Sequence, residues 1–90
     1  MPQVKFPPLM KYYVGNQNEF SAPGASVSDL FENILLRYPA LQPHLFDSKN
    51  HLRRHFQIFV NGVHIRELDG MNTKLNKDDK VVLVASAAGG

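Results

Sequence analysis

The chain has 90 residues, 43% of them hydrophobic and 20% charged, enough apolar mass for one packed core and too little for two domains. A formal net charge of +2 is too small a surplus to direct the protein to nucleic acid or an anionic membrane, and the absence of cysteine excludes disulfides, thiolate metal sites and a cysteine nucleophile. A soluble cytoplasmic protein is expected, because Lys5, Pro7, Pro8 and Lys11 break up the apolar residues between Met1 and Val14 and leave neither a signal-peptide run nor a membrane span.

In chain order, Val4-Lys5-Phe6 alternates and puts Val4 and Phe6 on one face of a first strand. Gly15-Asn16 marks a turn, and Glu19-Phe20-Ser21-Ala22, closed by Pro23-Gly24, reads as a second strand completing a hairpin with a long loop. Ser26-Val27-Ser28-Asp29 has the form of a capping box with Asp in place of Glu or Gln, so a helix is expected from about Val27. Val27, Leu30, Phe31, Ile34, Leu35 and Tyr38 recur at helical spacing as one apolar stripe, with Asp29, Glu32, Asn33 and Arg37 facing water. Pro39 disfavours helical geometry at Tyr38 and ends the helix. From Leu41 to Arg54 the sequence predicts an irregular connection with a short helical turn around Pro43 to Phe46.

Phe56-Gln57-Ile58-Phe59-Val60, Asn61-Gly62 and Val63-His64-Ile65-Arg66 form the strongest hairpin signal, because Asn-Gly readily adopts the two positive φ angles of a type I′ turn. Asp69-Gly70 makes a further turn and Leu75 supplies a core anchor. Lys80-Val81-Val82-Leu83-Val84 is too short and too β-branched for a helix and suits a buried strand. That strand delivers the chain to Ala85-Ser86-Ala87-Ala88-Gly89-Gly90. Two glycines in succession make the thinnest backbone available for threading into another protein's active site, which makes the Gly90 carboxylate the candidate reactive group. The competing reading is a frayed end of an interaction domain.

One helix cannot cover both faces of the sheet these strands form. The fold class is therefore α+β, a β-grasp or ubiquitin-like mixed sheet with one main helix packed on one face. The domain is expected over residues 1–84 and a flexible Gly-Gly tail over 85–90. If Phe56, Ile58, Val60, Val81 and Leu83 face the helix, then Gln57, Phe59, Val82 and Val84 face the open side. Phe59, Val82 and Val84, with Ala87 and Ala88 of the tail, are accordingly the expected partner-binding residues.

The residues also resemble a family. Leu45-Phe46-Asp47, Leu52-Arg53, Phe56 through Gly62, Ile65-Arg66, Leu68-Asp69-Gly70, Thr73, Leu75, Asp79, Val81 and Gly89-Gly90 look like the MoaD/ThiS sulfur carriers. Within them the chain is most similar to the branch of CysO-type carriers and small archaeal ubiquitin-like modifiers. Two departures stand out: Asp78-Asp79 replaces the family's usual Gly-Asp, where Asp78 can occupy a left-handed turn at modest cost, and the tail before Gly-Gly lacks proline and is expected to be more flexible. The resemblance implies a carrier with no catalytic residue of its own. A ubiquitin-activating-type adenylyltransferase using ATP and magnesium would adenylate Gly90, and a sulfur donor would convert it to a thiocarboxylate. A biosynthetic enzyme of molybdopterin, thiamine, cysteine or tRNA thiolation would then accept the sulfur, or target lysines would attack to give isopeptide conjugates. No tightly bound cofactor is implied.

Other constellations are weaker. His51 and His55 are four apart, with His44 and His64 elsewhere, but no carboxylate stands at a metal-ligand spacing, so solvated histidines are expected and no metal. Lys49, His51, Arg53, Arg54 and His55 form one basic cluster, read as a solvated loop or an acidic partner's dock ahead of weak phosphate contacts. Neither a phosphate-binding glycine loop nor a Ser/His/Asp arrangement occurs, so ATP binding falls to the partner.

Overall fold

The computed structural model describes residues 1–86. β1 (Gln3–Lys5) and β2 (Glu19–Ser21) pair antiparallel, and a long helix, α1 (Val27–Arg37), follows. A one-turn helix, α2 (Gln42–Leu45), precedes β3 (Phe56–Val60), β4 (Val63–His64) and β5 (Lys80–Ala85). The strands form one sheet in the order β2-β1-β5-β3-β4, in which only β1 and β5 run parallel. This is the mixed β-grasp sheet the sequence predicts.

Helix α1 forms where the capping residues place it. The Asp29 N–H donates to Ser26 Oγ at 3.1 Å, and Tyr38, out of helical geometry before Pro39 with φ −131° and ψ 73°, closes the other end. Val27, Leu30, Phe31 and Ile34 are buried against the sheet, while Leu35 and Tyr38 at the margins of the stripe are half-buried. Gly24 has a specific packing role: a Cβ there would lie 2.5 Å from Leu30 Cα, so only glycine lets the entering chain run this close to the helix.

Several expectations change in detail. The long loop of the first hairpin contains a 3-10 helix, Pro8–Val14, that buries Met10 and Val14; Pro8 opens it without disrupting it because the first helical positions need no N–H partner. Connection 41–54 is more ordered than predicted. Asp47 Oδ1 accepts from the Lys49 and His51 amides at 2.9 Å each, and the Arg53 N–H returns to the Leu45 carbonyl at 2.8 Å. The His51 amide is the main reason the Asp47 carboxyl is held below its ordinary range.

The fourth strand ends at His64 rather than Arg66, because His64 Nδ1 accepts the Arg66 N–H at 3.0 Å and caps a 3-10 turn, Ile65–Glu67, that inserts Ile65 into the core. Asp78 is not left-handed. Positive φ among non-glycine residues falls on Asn16, Asn50 and Asn61, and the turn before β5 closes instead through Asp79 N–H to the Asn76 carbonyl at 3.1 Å and Asn76 N–H to Asp79 Oδ2 at 2.7 Å. The Asn61-Gly62 turn has φ of 51° and 85°, the two positive values its type requires.

Candidate functional site

Alternation along β3 and β5 divides the sheet into two faces. Phe56, Ile58, Val60, Val81 and Leu83 are buried toward α1; Gln57, Phe59 and Val82 are half-buried and Val84 is 41% exposed on the side that no helix covers. The register sets Phe59 opposite Val82 and Gln57 opposite Val84, so the three apolar side chains form a continuous strip along the strand that leads to the terminus. Lys5 stands across from Val82 and Lys80 across from Gln3, so the strip meets positive charge on the β1 side.

His64 belongs to this face, correcting its reading as a solvated histidine. A two-residue turn at Asn61-Gly62 pairs Val60 with Val63 and therefore Phe59 with His64. The two rings meet edge to face at 5.1 Å. Because Nδ1 accepts the Arg66 N–H, the proton lies on Nε2, which donates to Gln57 Oε1. The imidazole thus holds Phe59 and Gln57 in one arrangement. The sequence signal for this contact is the two-residue turn itself, whose register sets His64 opposite Phe59.

At the end of β5, Ala85 pairs with Phe56, one residue beyond the boundary expected after Val84. Ser86 lies past the strand, and both its N–H, at 2.7 Å, and its Oγ, at 3.0 Å, bond to the His55 carbonyl. Ala87, Ala88, Gly89 and Gly90 lie outside the described residues. The remaining histidines are dispersed: His44 is exposed with its ring 4.3 Å from that of Tyr13, and His51 and His55 are exposed on the irregular segment with Lys49, Arg53 and Arg54. Among the described residues no three His, Cys, Asp or Glu side chains gather as metal ligands, and no helix is long and apolar enough to cross a membrane. A cleft of about 450 Å³ opens on the helix side, floored by Phe31, Leu35, Phe46, Leu52 and Met71. Its polar lining is Ser28, Glu32, Gln42, Asn50 and His51.

A small mixed sheet gripping one helix, with an uncovered apolar strip running toward the chain end, is the build of a ubiquitin-like β-grasp carrier protein. The chain belongs to the ThiS family, whose profile matches residues 4–90, and it is a sulfur carrier of the MoaD/ThiS type, a non-catalytic protein on which partner enzymes act. It is 27% identical over 89 residues to the sulfur carrier protein CysO of Mycobacterium tuberculosis, covering 97% of this chain and 96% of that one. It superposes with a TM-score of 0.83 on the small archaeal modifier protein 1 of Methanosarcina acetivorans, at 28% identity and coverage of 99% and 95%. The fold is also that of Amycolatopsis orientalis CysO, solved in a complex with BexX, with a TM-score of 0.88 at 21% identity and full coverage of both chains.

Proposed function

We propose that the Gly90 carboxylate is the cargo-bearing group, adenylated by a ubiquitin-activating-type enzyme and converted to a thiocarboxylate. The observation that carries this reading is the continuity of the apolar strip of Phe59, Val82 and Val84 with the strand that feeds Gly89-Gly90, inside a family match that runs to Gly90. A free carboxylate is a poor electrophile. Attack of its oxygen on the α-phosphorus of magnesium-bound ATP releases pyrophosphate and gives an acyl-adenylate. A sulfide-equivalent nucleophile then forms a C–S bond as AMP leaves.

The chain's own contribution is docking and delivery. The strip offers desolvatable surface beside the exit, Lys5 and Lys80 favour an acidic rim on the partner, and Gly89-Gly90 has no side chain to obstruct a narrow channel. Ala87 and Ala88 would line the channel's entrance, being small enough to pass and apolar enough to be buried. ATP and magnesium belong to the partner, and the sulfur acceptor is a biosynthetic enzyme of a cofactor, cysteine or tRNA thiolation route. The likeness to a protein named as a modifier supports a second reading, in which a lysine amine attacks the activated carbonyl and gives an isopeptide.

The test is intact-mass spectrometry of the protein from its native cells, together with ATP–pyrophosphate exchange catalysed by the activating enzyme. A sulfur-for-oxygen exchange at the terminus is expected, and deletion of Gly90 should abolish both signals without altering cooperative unfolding. Lysine-linked adducts would favour the second reading. A plain carboxylate in the cell with no exchange in vitro would leave an interaction module that uses the strip alone.

A further inference from the structure

We propose that Ser86 is a positioning residue that fixes the point at which the tail leaves the sheet; this rests on the carrier reading above. β5 is held unevenly along its length. β1 pairs only with Lys80, Val81 and Val82, so from Leu83 onward the strand is bonded on the β3 side alone. Val84, Ala85 and Ser86 are all exposed, and no burial restrains this end. A strand end bonded on one side and open to water frays readily.

Ser86 counters that fraying. The register places it opposite His55, one rung beyond the Phe56–Ala85 pair, and its N–H extends the ladder to the His55 carbonyl at 2.7 Å. The hydroxyl adds a second bond to the same oxygen at 3.0 Å, using the carbonyl's other lone pair. The acceptor is itself held in place: the Phe56 N–H bonds to the Arg53 carbonyl at 3.1 Å, and the His55 ring lies 4.3 Å from that of Phe56. Proline at position 86 would stiffen the backbone but forfeit the N–H and this rung. Serine fixes the position through bonds.

After Ser86 the sequence is Ala-Ala-Gly-Gly, with no proline or branched side chain to narrow the backbone's choices. Ser86 is the last of the described residues bonded to the β3 side, and the four residues that follow it span at most about 14 Å when fully extended. Releasing Ser86 moves the last bonded rung back to Val84. Each residue freed adds its ordering entropy to the cost of threading Gly90 into a partner channel.

The experiment compares the full chain with Ser86→Ala and Ser86→Thr by ¹⁵N relaxation and amide exchange, and by steady-state kinetics of adenylation with the activating enzyme. In Ser86→Ala, order and protection should fall at the amides of residues 85 and 86 with the global unfolding midpoint unchanged. KM for the carrier should rise about threefold to tenfold at constant kcat, the expectation for a partial loss of order over residues 85 and 86 in a variant that keeps the backbone N–H bond. Ser86→Thr, which keeps the hydroxyl, should restore both readouts. The positioning role is overturned if Ser86→Ala is as ordered as the parent, or if order is lost and KM does not move. Failure of the carrier reading is distinguishable, since it would show as absent adenylation of the unsubstituted chain before any variant is compared.

Discussion

On the inner side of β3, Phe56, Ile58 and Val60 are 6%, 0% and 6% exposed; on the outer side of the same strand Phe59 is half-buried, and Val84 across the sheet is 41% exposed. The residue types are alike and the backbone is shared, so composition does not distinguish the faces. Alternation and a single helix do. The inner side chains have already released their water and their burial energy belongs to folding, whereas the outer ones retain apolar surface that a partner can still remove from water. Truncation on the two faces should therefore register in different measurements.

The largest effect on the folded state is expected at Ile34, fully buried at the centre of the α1 stripe. Ile34→Ala should cost about 2–5 kcal/mol of unfolding free energy in denaturant titration, through lost burial plus an unfilled cavity. A cost below about 1 kcal/mol would mean that the helix contributes little to the core. Gly24→Ala comes next, at about 1–3 kcal/mol, because the new methyl meets the Leu30 backbone, which yields only if α1 moves as a body. A neutral result in thermal unfolding would show that the loop gives way instead.

Phe59→Ala is the corresponding test of the outer face. It should change stability by about 1 kcal/mol or less, the loss being mainly its edge-to-face contact with His64. Affinity for the activating enzyme, measured by calorimetry, should fall by about 2 kcal/mol, roughly 30-fold, if the ring is an interface anchor. Equal damage to folding from Phe59→Ala and Ile34→Ala, with binding by the folded fraction intact, would erase the distinction between the faces.

Much of this architecture was legible in the sequence because local signals agreed with one another. The Asn61-Gly62 turn fixed the β3–β4 register, the Ser26 cap fixed the start of α1, and strand alternation sorted Ile58 from Phe59. What the sequence does not display depends on partners distant in the chain. Ser86 was ordinary until His55 lay across from it, and Gly24 read as a turn residue because its close neighbour, Leu30, is brought near only by the folded path of the chain. The 3-10 helix at Pro8–Val14 lies where Pro7 and Pro8 interrupt the apolar residues, yet a proline is tolerated where a helix begins. His64 was legible in principle, since the turn length alone sets it opposite Phe59.

The smallest expected effect lies at the rim where the two faces meet. Asp79 ties the β3–β4 turn to the start of β5: its Oδ2 accepts the Asn76 N–H at 2.7 Å and its Oδ1 accepts from Asn61 Nδ2 at 2.9 Å, while Asn61 Oδ1 accepts the Lys80 N–H at 2.9 Å. The Asn76 bond, then the Asn61 bond, hold its carboxyl below the ordinary carboxylate range. A folded-state pKa depressed below the unfolded one gives stability that is fully present above the ordinary value near 4 and lost as pH falls through the lowered folded value. Asp79→Asn should therefore cost about 0.5–1 kcal/mol near neutral pH, discounted for solvent screening, with the deficit shrinking below about pH 4. Subtracting the variant's stability-versus-pH curve from the parent's isolates this carboxyl from Asp47, whose pKa is lowered by its own loop in both proteins. Curves that stay parallel through the acid range would show that the Asp79 bonds do not depend on its charge.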